Sequence, residues 1–339
     1  MIRKIKLAIA TVAVAAVGAA TLTGCGLEAA SQAVPDVKPG SKLADFDSLK
    51  GAKIVTTSKD FTEQLVLGKM LSLVLKAKGA NVSDQTNAKG SANARQAMTS
   101  GAADIMWEYT GTGWVTYLAH SPDPKTGKAA GVEIGDQHAV WAAVKKEDLE
   151  KNGIFWGKPA PFNNTYAMAV KESDSKKLGL TKLSQISKLP KDKQTFCLEN
   201  EFQTRPDGWP GMQSAYGIKN AKATIMDTGI IYNEIGGSNC LLGEVFDTDG
   251  RIPAKHLTTL KDDKHYFPIY NPAINIRQEI NKKYPQIADM FDKIGQDLST
   301  ETMRALNERV DVGGEDPTKV AKDWLTKNGY LKPDNKVVG

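Results

Sequence analysis

Histidine and cysteine are scarce in this chain of 339 residues, which has four of one and three of the other. His120, His138, His256 and His265 pair with neither a cysteine nor one another at metal-ligand spacing, which argues against a zinc site. No Gly-x-Ser-x-Gly elbow is present, and no histidine stands in a string of catalytic type, so a serine hydrolase has little to stand on. A strong basic field is missing too. The formal charge is +5, but three of the positive residues lie in the first 24 with no acidic residue beside them. The rest of the chain is near neutral, and nucleic acid is not an expected partner. After that opening segment no apolar run approaches the length of a membrane span.

The opening segment is informative. Arg3, Lys4 and Lys6 precede apolar or small residues from Leu7 to about Ala20, the pattern of a secretory signal peptide. It ends in Leu22-Thr23-Gly24-Cys25, which resembles the lipobox of bacterial lipoproteins. The resemblance implies cleavage before Cys25, lipidation of that cysteine and an extracytoplasmic body tethered to the cell membrane by acyl chains. The plainer alternative is a secreted protein whose Cys25 falls near the cleavage site by chance. In an oxidising compartment the remaining pair, Cys197 and Cys240, reads as a disulfide closing a loop of about forty residues, worth roughly 4 kcal/mol in the chain-entropy model. Two buried free thiols are the rival reading.

Residues 25–49, rich in Ala, Ser, Pro and Lys, read as the lipidated cysteine and a flexible tether. Short apolar strands then alternate with helices. Lys53 to Thr57 reads as a strand. Asp60 with Glu63 reads as a capping box, ahead of Leu67, Met70, Leu71 and Val74 at helical spacing. A helix over about 91–100 leads to a strand over 104–107, a βαβ alternation that implies a mostly parallel sheet. A second series begins near Asn163, with strands expected at 166–170, 194–198, 223–227 and 243–246 and a short helix capped by Ser184. The tail is helical: Ile287, Met290, Phe291 and Ile294 share a face, as do Met303, Leu306 and Val310. Asp316-Pro317 opens a last helix carrying Val320 and Trp324.

Six strings, in order, carry a resemblance. They are Ser58 to Gln64, Trp107 to Thr112, Phe162 to Ala167, Glu201-Phe202 with Arg205 and Asp207-Gly208, Val245 to Arg251, and Phe267 to Ala273. Together they resemble the substrate-binding proteins of osmoprotectant ABC transporters, which deliver glycine betaine, carnitine, choline or related quaternary amines. The family implies an α/β fold of two lobes, a periplasmic-binding-protein-like clam of type II with its ligand in the cleft between them. Lobe one would combine 50–162 with 267–335, lobe two would be 163–266, and residues 1–24 would be the signal peptide. It also implies a non-enzymatic receptor without a cofactor, a monomer that hands its solute to a membrane permease.

A quaternary ammonium has no N–H to donate, so a carboxylate cannot hydrogen-bond it. Aromatic faces offer a negative quadrupole and apolar contact instead. The resemblance assigns the cage to Tyr109, Tyr166 and Tyr270, with Phe246 where relatives commonly carry Tyr. It assigns a ligand carboxylate to Lys59, Thr112 and Arg205, of which Arg205 can fork onto both oxygens. Gln64 is a weaker candidate that suits packing or capping as well. Tyr117, Tyr216, Tyr232 and Tyr330 lack the turn setting and read as core or surface. A binding protein for another cationic or amino-acid solute is the main alternative, and a lipid-anchored hydrolase a lesser one.

Overall fold

The computed structural model describes residues 32–123 and 126–334. Cys25 and the signal segment lie outside the described residues. The chain builds two five-stranded sheets. Into the first it threads β1 (Lys53–Lys59), β2 (Asn81–Ala88), β3 (Ile105–Tyr109) and β4 (Ile154–Trp156), with α1 (Thr62–Ala77), α2 (Gly90–Ser100) and α3 (Gln137–Asn152) between them. It then leaves for the second sheet: β5 (Tyr166–Lys171), β6 (Thr195–Leu198), β7 (Lys222–Ile225), β8 (Leu242–Phe246) and β9 (Leu257–Thr259). That half also carries α4 (Asn200–Thr204), α5 (Trp209–Tyr216) and α6 (Thr228–Glu234). The chain returns through β10 (Pro272–Arg277) and closes with α7 (Gln286–Gln296), α8 (Thr300–Asp311) and α9 (Pro317–Lys327).

Strand order is β2-β1-β3-β10-β4 in the first sheet and β9-β5-β8-β6-β7 in the second. Each sheet is mixed rather than mostly parallel. β10 runs antiparallel to both β3 and β4, because it enters the first sheet from the opposite side after the excursion. In the second sheet β8 lies antiparallel to β5 and parallel to β6. No helix among the described residues is long and apolar enough to cross a membrane.

α1 is buried beyond the stripe its sequence period suggests, with Val66, Leu73 and Leu75 joining Leu67, Met70, Leu71 and Val74. It packs on β1 and β2 on one side and on α8 and α9 on the other, so both flanks are covered. The tail helices supply the matching apolar faces from Ile287, Met290, Phe291, Ile294, Met303, Leu306, Val320 and Trp324. Asp316 caps α9 by accepting from the amides of Thr318 and Lys319 at 2.8 and 3.1 Å, with Pro317 in the first turn. Cys197 on β6 and Cys240 ahead of β8 are joined in a disulfide, their Cα atoms 5.6 Å apart.

Three local expectations are corrected. The segment read as a tether is docked from Gln32 onward: Leu43 and Leu49 are fully buried, and Gly40 N–H donates to Tyr330 O at 2.7 Å. Val34, Val37 and Phe46 pack partly against the same core, so scattered apolar residues in a polar stretch seat it. α1 has no side-chain cap from Asp60, whose Oδ1 accepts from Gly90 N instead, while Glu63 turns into the interior. Ser184 lies inside its short helix rather than capping it, and its hydroxyl donates to Asp263 Oδ2 at 2.6 Å.

Candidate functional site: an aromatic cleft

The C-terminal ends of β1 and β3 and the loops of the second sheet enclose a cavity of about 980 Å³. Tyr109 ends β3, in register with Pro272 of β10, and Tyr270 lies two residues upstream of that proline. Gly111 lets the two segments close: a Cβ there would stand 2.7 Å from Ile269 O and 2.9 Å from the Tyr270 ring. Tyr166 opens β5 directly opposite Phe246, the last residue of β8. An antiparallel pair puts such rings on one face, here with centroids 5.3 Å apart. Tyr270 meets Tyr166 edge-on at 5.6 Å. Phe61 completes the arc, stacked on Phe246 at 4.9 Å and on Tyr109 at 6.1 Å.

All four aromatic positions expected from the sequence therefore line one cavity. Phe61 is a fifth ring that the sequence reading does not assign, although it stands in the first of the six strings. Tyr117, read as core or surface, also lines the cavity. A π-helical segment over Thr112–Tyr117, wider than an α-helix, carries it there, and its hydroxyl donates to Glu108 Oε2 at 2.5 Å. Tyr216, Tyr232 and Tyr330 are buried, each in a different hydrophobic cluster.

The polar residues are arranged differently from expectation. Lys59 and Arg205 line the cavity with Thr112, but each cation already faces a carboxylate of the chain. Lys59 Nζ lies 2.7 Å from Glu108 Oε1 and 5.1 Å from the Tyr109 ring centroid. Arg205 donates through Nε and Nη2 to both oxygens of Asp207 at 2.8 and 2.6 Å, and through Nη1 to Glu201 at 2.8 Å. A longer bond of 3.3 Å runs from Nη2 to Thr112 Oγ1, and the guanidinium sits 5.4 Å over the Tyr166 ring. Tyr270 adds its hydroxyl to Asp207 at 2.6 Å. Asp207 is fully buried and thus orients both a cation and a ring. Its only signal in the sequence is its place in the Arg205 string. Gln64 is buried and accepts from Lys59 N at 3.4 Å, a packing position.

Electrostatics follow from burial and pairing. Burial lifts the Tyr109, Tyr166 and Tyr270 phenols well above the ordinary range, so all three keep their protons as donors. Burial opposes ionisation of Glu201, yet Arg205, Lys59 and the Ser91 amide outweigh it and hold the carboxyl down to about 2. Arg205 would be lowered by burial, but Asp207 beside it raises it well above its usual value. The arrangement therefore presents aromatic faces for an apolar cation and an anchored arginine at one end.

A family model described as the substrate-binding domain of ABC-type glycine betaine transport systems matches residues 52–327. A glycine-betaine-binding protein of Pseudomonas aeruginosa is 38% identical over 80% of this chain and 87% of its own. A Helicobacter pylori protein described as an ergothioneine transport permease/ergothioneine binding protein is 31% identical over 85% of this chain and 50% of its own. Among solved structures, apo YehZ from Escherichia coli superposes with a TM-score of 0.61 at 30% identity, covering 83% of this chain and all of that one.

Proposed function

Because this chain belongs to the substrate-binding family of ABC-type glycine betaine transport systems, a family of solute receptors rather than enzymes, we propose that it captures a quaternary-ammonium osmoprotectant and delivers it to an ABC permease. In this reading Tyr109, Tyr166, Phe246 and Tyr270 hold the ammonium head, with Phe61 as a further wall. Lys59, Thr112 and Arg205 take a ligand carboxylate where there is one. The supporting observation is the convergence of these rings on one cavity, with neighbouring centroids 4.9–6.1 Å apart. Lobe one comprises 50–162 with 267–335 and lobe two 163–266, and closure about the two crossings encloses the solute. Cys25 anchors the body by acyl chains outside the cytoplasm.

A second reading concerns the solute's size. A cavity of about 980 Å³ has room for a betaine larger than glycine betaine, and one relative is named for ergothioneine. Calorimetry of the mature protein against glycine betaine, carnitine, choline, ergothioneine and proline tests both, tighter binding of carnitine or ergothioneine than of glycine betaine favouring the larger solute. Saturable binding of any quaternary amine with proline inert supports the assignment. Proline alone binding would overturn it.

A further inference from the structure

Glu63, near the start of α1, is 2% exposed. Its carboxylate gathers four donors from four parts of the chain. Oε1 accepts from Tyr109 Oη at 2.7 Å and Asn164 Nδ2 at 2.9 Å. Oε2 accepts from Thr248 Oγ1 at 2.6 Å and Asn307 Nδ2 at 3.3 Å. All four partners are neutral, and among the described residues no lysine or arginine pairs with it. The other buried carboxylates at the cleft differ in this respect: Glu108 faces Lys59 and Asp207 faces Arg205. Arg251, which lines the same small hollow as Glu63, is paired with Asp249 at 2.5 Å and Asp311 at 3.6 Å.

A buried charge without a counter-ion is costly. Burial pushes its pKa up overall, the four converging donors pull it back only in part, and a cation held nearby is what would favour the ionised form. Such a site calls for a cation that is absent from the chain itself. The position says which: Glu63 stands one hydrogen bond behind the Tyr109 ring, and Asn164 also lines the cavity. A trimethylammonium offers an anion no hydrogen bond, so the useful place for an opposing charge is behind an aromatic wall. A phenol donating to an anion there also presents a more negative ring face.

We propose that Glu63 is the counter-charge of the ligand's ammonium head and makes the cage prefer a cation over an uncharged group of the same shape. This rests on the cavity being a quaternary-amine site. The test is calorimetry of the mature protein with choline and with 3,3-dimethyl-1-butanol, its uncharged carbon isostere. Glu63→Gln should lower the choline-to-isostere affinity ratio by about tenfold or more, leaving the isostere's affinity unchanged. Glu63→Asp, which keeps the charge, should retain the ratio even at a lower melting temperature. An unchanged ratio in Glu63→Gln, or equal loss of both ligands, would overturn the proposal. So would loss of the ratio in a folded Glu63→Asp, which decides the matter if the glutamine variant does not fold. A parent protein that binds no quaternary amine would instead defeat the assignment of the cavity, before Glu63 comes into question.

Discussion

Replacing Tyr166 separates packing from recognition. The ring touches Phe202, Phe246, Tyr270 and Phe267 at centroid distances of 4.8, 5.3, 5.6 and 6.2 Å, so it is a hub of the second sheet's core and also lines the cavity where we propose the cage. Truncation to alanine removes those contacts and should cost about 3–5 kcal/mol of stability, the range for large aromatic deletions. A folded domain of this kind has about 5–15 kcal/mol to lose, so the variant should still fold at low temperature. Its binding loss should be about 1–2 kcal/mol, or roughly tenfold, the size of one partly desolvated cation–π contact. Leucine at this position refills much of the volume while removing the quadrupole. Tyr166→Leu should therefore recover melting temperature without recovering affinity, and Tyr166→Phe should retain both. Calorimetry at a temperature where each variant is folded, alongside thermal denaturation, reads the two effects apart. If Tyr166→Leu binds choline and glycine betaine as the parent does, the ring is packing only and the cage assignment is wrong.

Arg205→Ala should weaken glycine betaine or carnitine about tenfold more than choline, which has no carboxylate; equal losses in parallel titrations would mean Arg205 only braces Asp207. Cys197→Ser with Cys240→Ser should lower stability by roughly 2–4 kcal/mol in denaturant titrations. Intact mass after alkylation without reductant should show no modified thiol at either position. Burial and the nearby Glu199 push the Glu244 carboxyl up to about 8. A carboxyl raised in the folded state contributes stability below its unfolded pKa and loses it as pH climbs through the folded one. The melting temperature should thus fall between about pH 5 and 8, and Glu244→Gln should flatten that slope. Cys25→Ser should release the protein from the membrane fraction with solute affinity unchanged; retention in the detergent phase would contradict lipid anchoring.

Alternation of strand and helix, the capped α9 and the apolar faces of α7 and α8 were legible because burial there follows a simple period. The aromatic positions that line the cavity were legible only as members of ordered strings. Period alone gives no reason to join Tyr109 with Tyr166, which are brought together by two separate sheets. β2 escaped notice because an edge strand reading Asn-Val-Ser-Asp-Gln-Thr-Asn-Ala keeps few apolar residues, its buried Asp84 being held by Lys69 at 2.9 Å. α3 escaped because it sends only Val140, Val144 and Asp148 inward. Asp207, Glu201, Tyr117 and Glu63 are ordinary polar residues in sequence. Their importance arises from burial and from partners far along the chain, as with Glu63 and Asn307, which no local pattern reports.

The most direct measurement is a crystal structure of the mature protein with choline or glycine betaine bound. The account predicts the ammonium carbons within about 6 Å of the Tyr109, Tyr166, Phe246 and Tyr270 ring centroids, with any carboxylate turned toward Lys59, Thr112 and Arg205. A solute seated away from those rings, or an ammonium head paired directly with Glu201 while the rings stand empty, would contradict it.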